Sequence, residues 1–137
     1  MTEAKITKLT KTWQKLLRMQ DWEIVTKFAE PGELDHGTFG TAQGDYNTRR
    51  GLITLNKPAL TIKAPHIDDD LELTLVHELL HLKFYSLMSE DSERDEGNID
   101  DLASLLVSYR RQLEEFNKSE KKLTAVVKTV TKSKKSK

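Results

Sequence analysis

The chain has 137 residues, 36% of them hydrophobic and 32% charged, with 22 basic and 22 acidic side chains and no cysteine. That length fits one domain with its own core. The absence of thiols excludes disulfides, thiolate metal sites and cysteine nucleophiles, and no apolar run reaches the roughly 18 residues of a membrane span. The N-terminal segment has no apolar signal-peptide core, so a cytoplasmic protein without membrane contact is expected. The zero net charge hides an asymmetry. Residues 117–137 hold eight lysines and one acid, Glu120, for a net +7, which leaves residues 1–116 at −7. An acidic body with a basic tail is expected.

Thr2 to Met19 is predicted to form an amphipathic helix, because Ile6, Leu9, Trp13, Leu16 and Leu17 recur at helical spacing. Its apolar face is expected to pack on the domain. Trp22 to Ala29 has the aromatic and β-branched content of a strand, and Glu30-Pro31-Gly32 is a turn signal. His36 falls in the polar stretch that follows and is read as a loop residue. Thr38 to Tyr46 and Gly51 to Leu55 are predicted strands joined by residues 47–50. Gly37, Gly40 and Gly44 do not form a phosphate loop, since no G-K-[ST] follows; they are expected to mark bulges or bends. The second of these strands is the candidate edge strand for an extended ligand. In the polar connector from Pro65, His66 is expected in solvent, and Asp68, Asp69 and Asp70 to cap the next helix.

That helix, Leu71 to Met88, holds the chemistry. It contains His77-Glu78-Leu79-Leu80-His81, an H-E-x-x-H. Residues four apart share one helix face, so His77 and His81 can aim two ring nitrogens at one ion. Glu78 is turned by about 100°, where it can flank the ion without ligating it and act as a general base toward water. The flanking residues are apolar on nearly every side, which predicts a buried helix. Unpartnered imidazoles and a carboxylate would be costly there. One such residue reads as a satisfied core group; three at this spacing favour a metal site.

A catalytic zinc takes three protein ligands and keeps one position open. Ser89 to Asp95 is predicted as a polar break, after which helical spacing resumes through Ile99, Ala103 and Leu106. Glu90, Asp91, Glu93, Asp95, Glu96, Asp100 and Asp101 are the acids at hand. Glu96 borders the buried face of its helix and has Asp100 four residues on, an E-x-x-x-D. An aspartate so placed can accept from a ligand histidine's second ring nitrogen and fix its tautomer. Asp95 and Glu93 are the alternative third ligands. Tyr85 and Tyr46 are candidate donors to an oxyanion, against the ordinary packing role of a tyrosine in apolar surroundings.

H-E-x-x-H on one helix followed by E-x-x-x-D on the next resembles the gluzincin type of zinc metallopeptidase. The segment Glu96 to Ala103, E-x-x-I-D-x-L-A, is similar to the glutamate helix of peptidases that act on mobile-element repressors. The size resembles that of small zincin-like peptidases encoded by bacteria, phages and other mobile elements. The resemblance covers about residues 71–107. It implies an α+β fold: a minimal zincin-like core with an N-terminal helix, a small three-stranded, mostly antiparallel sheet, the H-E-x-x-H helix and a glutamate helix. It implies a metallopeptidase domain over 1–116. The lysine-rich composition of 117–137 separately predicts a flexible, disordered tail. The resemblance further implies that Zn²⁺ is held by His77, His81 and Glu96, with Glu78 as catalytic base and Asp100 behind a ligand histidine. Only fourteen residues separate His81 from Glu96, a shorter spacing than in large gluzincins.

The expected function is therefore zinc-dependent hydrolysis of a protein or peptide substrate. The rival expectation is a catalytically silent binding or regulatory module on the same scaffold. Nucleic acid is expected to bind only weakly, through the lysines of 118–137, because the tail has no aromatic side chains to stack on bases.

Overall fold

The computed structural model describes residues 1–35, 37–57, 70–85 and 92–135. Among them the elements run α1 (Glu3–Leu16), β1 (Glu23–Phe28), β2 (Gly40–Asp45), β3 (Arg50–Leu55), α2 (Leu71–Phe84) and α3 (Ser92–Lys135). The described residues are α+β, with three helices and one small sheet. His36, His66, Asp68, Asp69, Glu90 and Asp91 lie outside the described residues, as does the Glu93 side chain. No helix among the described residues is long and apolar enough to cross a membrane.

The sheet has the order β1-β3-β2 and is mixed. β1 pairs parallel with β3, from Glu23↔Arg50 to Phe28↔Leu55. β2 pairs antiparallel with β3, from Gly40↔Leu55 to Asp45↔Arg50. Two expectations are corrected here. The sheet is not mostly antiparallel, because the β2–β3 hairpin returns its second strand alongside β1 in the same direction. For the same reason Gly51 to Leu55 lies in the middle of the sheet, and among the described residues the edge nearer α2 belongs to β2.

Both early helices serve one face of this sheet. α1 packs on β1, and α2 packs on β2 and β3. Thr2 caps α1, its side chain accepting from the Lys5 amide, and Ile6, Trp13 and Met19 are almost fully buried. Each such side chain contributes about 1.5–3 kcal/mol by leaving water. Asp70 caps α2, accepting from the Glu72 and Leu73 amides at 3.1 and 3.2 Å. Leu75, Val76, Leu79 and Leu80 are buried around that helix, as its all-round apolar sequence requires. A buried hydrogen bond ties the two helices together: Trp13 Nε1 donates to Glu72 Oε1 at 2.9 Å. Gln14 Nε2 donates to the carbonyls of Met19 and Trp22, fixing the turn from α1 into β1.

Glycines explain how closely α2 sits on the sheet. A Cβ on Gly44 would lie 2.5 Å from Leu82 Cδ2, and one on Gly51 would lie 2.7 Å from Leu82 Cδ1. A Cβ on Gly40 would meet Thr74 Cγ2 at 2.8 Å and Glu78 Cγ at 3.2 Å. Gly40 and Gly44 mark a close helix–sheet contact rather than the expected bulges or bends, whereas Gly37 takes a φ of 87° in the turn before β2.

Two expectations for the C-terminal third are also replaced. The predicted break does not run through Asp95, because α3 already begins at Ser92. Acids in that first turn complement the partial positive charge of a helix N-terminus. The segment from Asn117, expected as a disordered tail, continues α3 to Lys135. No glycine or proline occurs between Asn98 and Lys137, and lysine, glutamate, leucine and alanine sustain a helix well. The chain divides into two compact units, Met1–Ser104 and Leu105–Lys137.

Candidate metal centre

α2 carries His77 and Glu78 side by side and His81 one turn on, and the start of α3 brings Glu96 to both rings and Asp100 to His77. His77 Nε2 and His81 Nε2 are 2.9 Å apart. The Glu96 carboxylate spans both rings, with Oε2 at 3.2 Å from His77 Nε2 and Oε1 at 3.0 Å from His81 Nε2. Among the described residues, His77, His81 and Glu96 form a group able to hold a metal ion, each offering one ligand atom within 4.8 Å of the others.

The geometry can be tested against an ion directly. Tetrahedral bonds of about 2.0–2.1 Å place neighbouring ligand atoms about 3.3 Å apart. The two ring nitrogens need to open by only a few tenths of an ångström to meet that value, and each already has a different Glu96 oxygen at 3.0–3.2 Å. The donor set of two imidazoles and one carboxylate also matches a catalytic zinc site. Asp95, half-buried one position earlier, is outside this group.

Behind the site, His77 Nδ1 lies 2.8 Å from Asp100 Oδ1. A proton on Nδ1 would be held by this carboxylate, and the Nε2 lone pair would then face Glu96 and His81. The E-x-x-x-D spacing thus places both carboxylates on one side of α3, one on each nitrogen of the same ring. Asp100→Ala is expected to weaken metal binding by about 10–100-fold, measured by competition with a chromogenic chelator. An unchanged affinity would deny Asp100 this role.

Burial sets the charge states. Glu78 is 7% exposed. Desolvation, helped by the nearby Glu96 charge, raises its pKa to about 7. Desolvation also holds His81 below the usual imidazole value, and the neighbouring His77 acts in the same direction, while Glu96 opposes both. A neutral ring is the form that ligates a cation.

Glu78, His81 and Glu96 line a cleft of about 460 Å³ with Gly40, Thr41 and Ala42 of β2. Trp22, Tyr46, Leu82 and Tyr85 line the same cleft. Trp22 and Tyr46 meet edge to face with centroids 5.9 Å apart. Tyr85 is 70% exposed. The candidate oxyanion donors Tyr46 and Tyr85 therefore both border the cleft. Sequence reasoning missed Trp22 and the β2 backbone as parts of the wall. The i, i+4 repeat of Gly40 and Gly44 carried the signal, since residues that far apart on one strand face the same side.

Comparison with protein-family profiles, curated proteins and solved structures finds no match to this chain.

Proposed function

We propose that this chain is a zinc-dependent metallopeptidase of gluzincin type on a zincin-like core. The carrying observation is that Glu96, from a separate helix, bridges the two H-E-x-x-H imidazoles at 3.2 and 3.0 Å. His77, His81 and Glu96 hold the ion, and Asp100 orients His77. A bound Zn²⁺ supplies Lewis acidity, making water more acidic and polarising a carbonyl oxygen. Glu78 takes the proton from the attacking water and returns it to the departing amine. Burial raises the Glu78 carboxyl to about 7 while no ion is bound, and a bound dication would lower it toward the ionised form that accepts a proton.

The cleft supports an extended peptide as substrate. β2 is an edge strand of the sheet, and its residues Gly40 to Ala42 line the same cleft as Glu78 and His81. A peptide added to that edge would gain main-chain hydrogen bonds and run past the ion. Tyr85 and Tyr46 are the side chains at hand to donate to the developing oxyanion.

The test is a peptide library drawn from a whole proteome, incubated with the zinc-loaded protein. New peptide termini that disappear on addition of a chelator are the expected result. A metal-loaded chain that cuts nothing while still binding particular peptides would make it the silent binding module instead.

A further inference from the structure

The Leu105–Lys137 unit continues α3 to Lys135 and carries an apolar stripe broken once, at Glu120. Tyr109, Leu113, Phe116, Leu123, Val127 and Val130 are spaced by alternating threes and fours once Glu120 is counted in sequence between Phe116 and Leu123. These are the a and d positions of an uninterrupted heptad pattern. The six apolar members are 44–66% exposed. A helix without tertiary packing is marginal in water, and a seam of this kind is covered by another helix with the same repeat.

We propose that this segment pairs with the same segment of a second copy of the chain, as an antiparallel two-stranded coiled coil. Three observations select the occupant and its direction. First, the seam is self-complementary. Antiparallel alignment of a with d layers Tyr109 on the partner's Val127, Leu113 on the partner's Leu123, and Phe116 on the partner's Glu120. Second, a parallel, in-register pair would bury Glu120 against its own copy, and facing like charges are destabilising. The antiparallel pair sets Glu120 beside an aromatic ring, near the end of whose layer its carboxylate can reach water. Third, residues 117–137 carry a net +7. Parallel pairing would stack these lysine-rich halves. The antiparallel arrangement separates them and brings Glu114 and Glu115 level with the partner's Lys122 and Lys121. The flanking e and g positions, among them Gln112, Asn117, Ser119 and Thr124, oppose neither arrangement.

The test uses the full chain. Sedimentation equilibrium at tens of micromolar is expected to give a dimer. Leu113→Lys combined with Val127→Lys should give a monomer, whereas Lys118→Gln, on the outer face, should leave the dimer in place. Because the chain has no cysteine, Thr131→Cys accepts a single spin label. Position 131 is level with the partner's 105 in the antiparallel pair, so the two labels should lie about 40 Å apart at 1.5 Å per residue. A separation under about 20 Å means a parallel pair and overturns the arrangement. A monomeric wild type overturns the proposal, including one that sediments with phosphatidylserine vesicles or with DNA. So does a dimer that survives both lysine substitutions.

Discussion

Exchanging Glu78 for glutamine is expected to leave the ion bound and to lower peptide hydrolysis by about 10²–10⁴-fold, the usual contribution of a positioned general base. The two side chains have nearly the same shape. Glutamine therefore fills the space beside Gly40, where a glycine Cβ would stand 3.2 Å from Glu78 Cγ. Glu78 is also outside the group of ligand atoms contributed by His77, His81 and Glu96. The substitution removes the ability to carry a proton and little else. Turnover of a cleaved peptide, measured beside metal content in the same preparation, checks the expectation. Loss of both together would mean that Glu78 holds the site's structure. Unchanged turnover would remove it from the chemistry.

The second large effect is thermal. The three ligands come from two helices, so an ion bound to them is available only to the folded chain. A ligand present at a thousand times its dissociation constant adds about 4.1 kcal/mol of stability when it binds only the native state. For a unit of about 100 residues each kcal/mol moves the Tm by roughly 4 °C or more. Saturating Zn²⁺ is therefore expected to raise the Tm by about 15 °C or more. Glu96→Ala should remove most of that rise by leaving two imidazoles without their carboxylate. Differential scanning calorimetry with and without the ion reads both. A Glu96→Ala protein that responds to zinc as strongly as the wild type would mean that another acid supplies the third ligand.

Local spacing made much of the site legible before any coordinates. His77, Glu78 and His81 lie within one and a half turns of a single helix, so their relation follows from helix geometry alone. Glu96 and Asp100 were also identifiable, as two carboxylates one turn apart at the border of an apolar face. Four of the elements likewise follow from periodicity and propensity. What escaped depends on pairings distant in sequence. Trp13 and Glu72 are separated by 59 positions, and neither residue type alone predicts the bond between them. The strand order escaped for the same reason. Alternation identifies strands, but it does not say that β3 enters between β1 and β2, so the free edge was assigned to the wrong strand of the hairpin. The tail was misread because its lysine content was weighed as charge. The absence of helix breakers, and the apolar seam hidden among the lysines, carried more structural information.

The seating of α2 has a mechanical consequence. The helix is held at two points on its circumference. Leu82 fits between Gly44 and Gly51 on the sheet side, and Glu72 takes the indole hydrogen of Trp13 near the other end. A rod held at two such points can neither spin about its axis nor slide along it without breaking one of them. The direction in which both imidazoles point is thereby indexed to the sheet, as a keyed shaft is to its hub, so the aim of the rings would be the same with or without an ion between them.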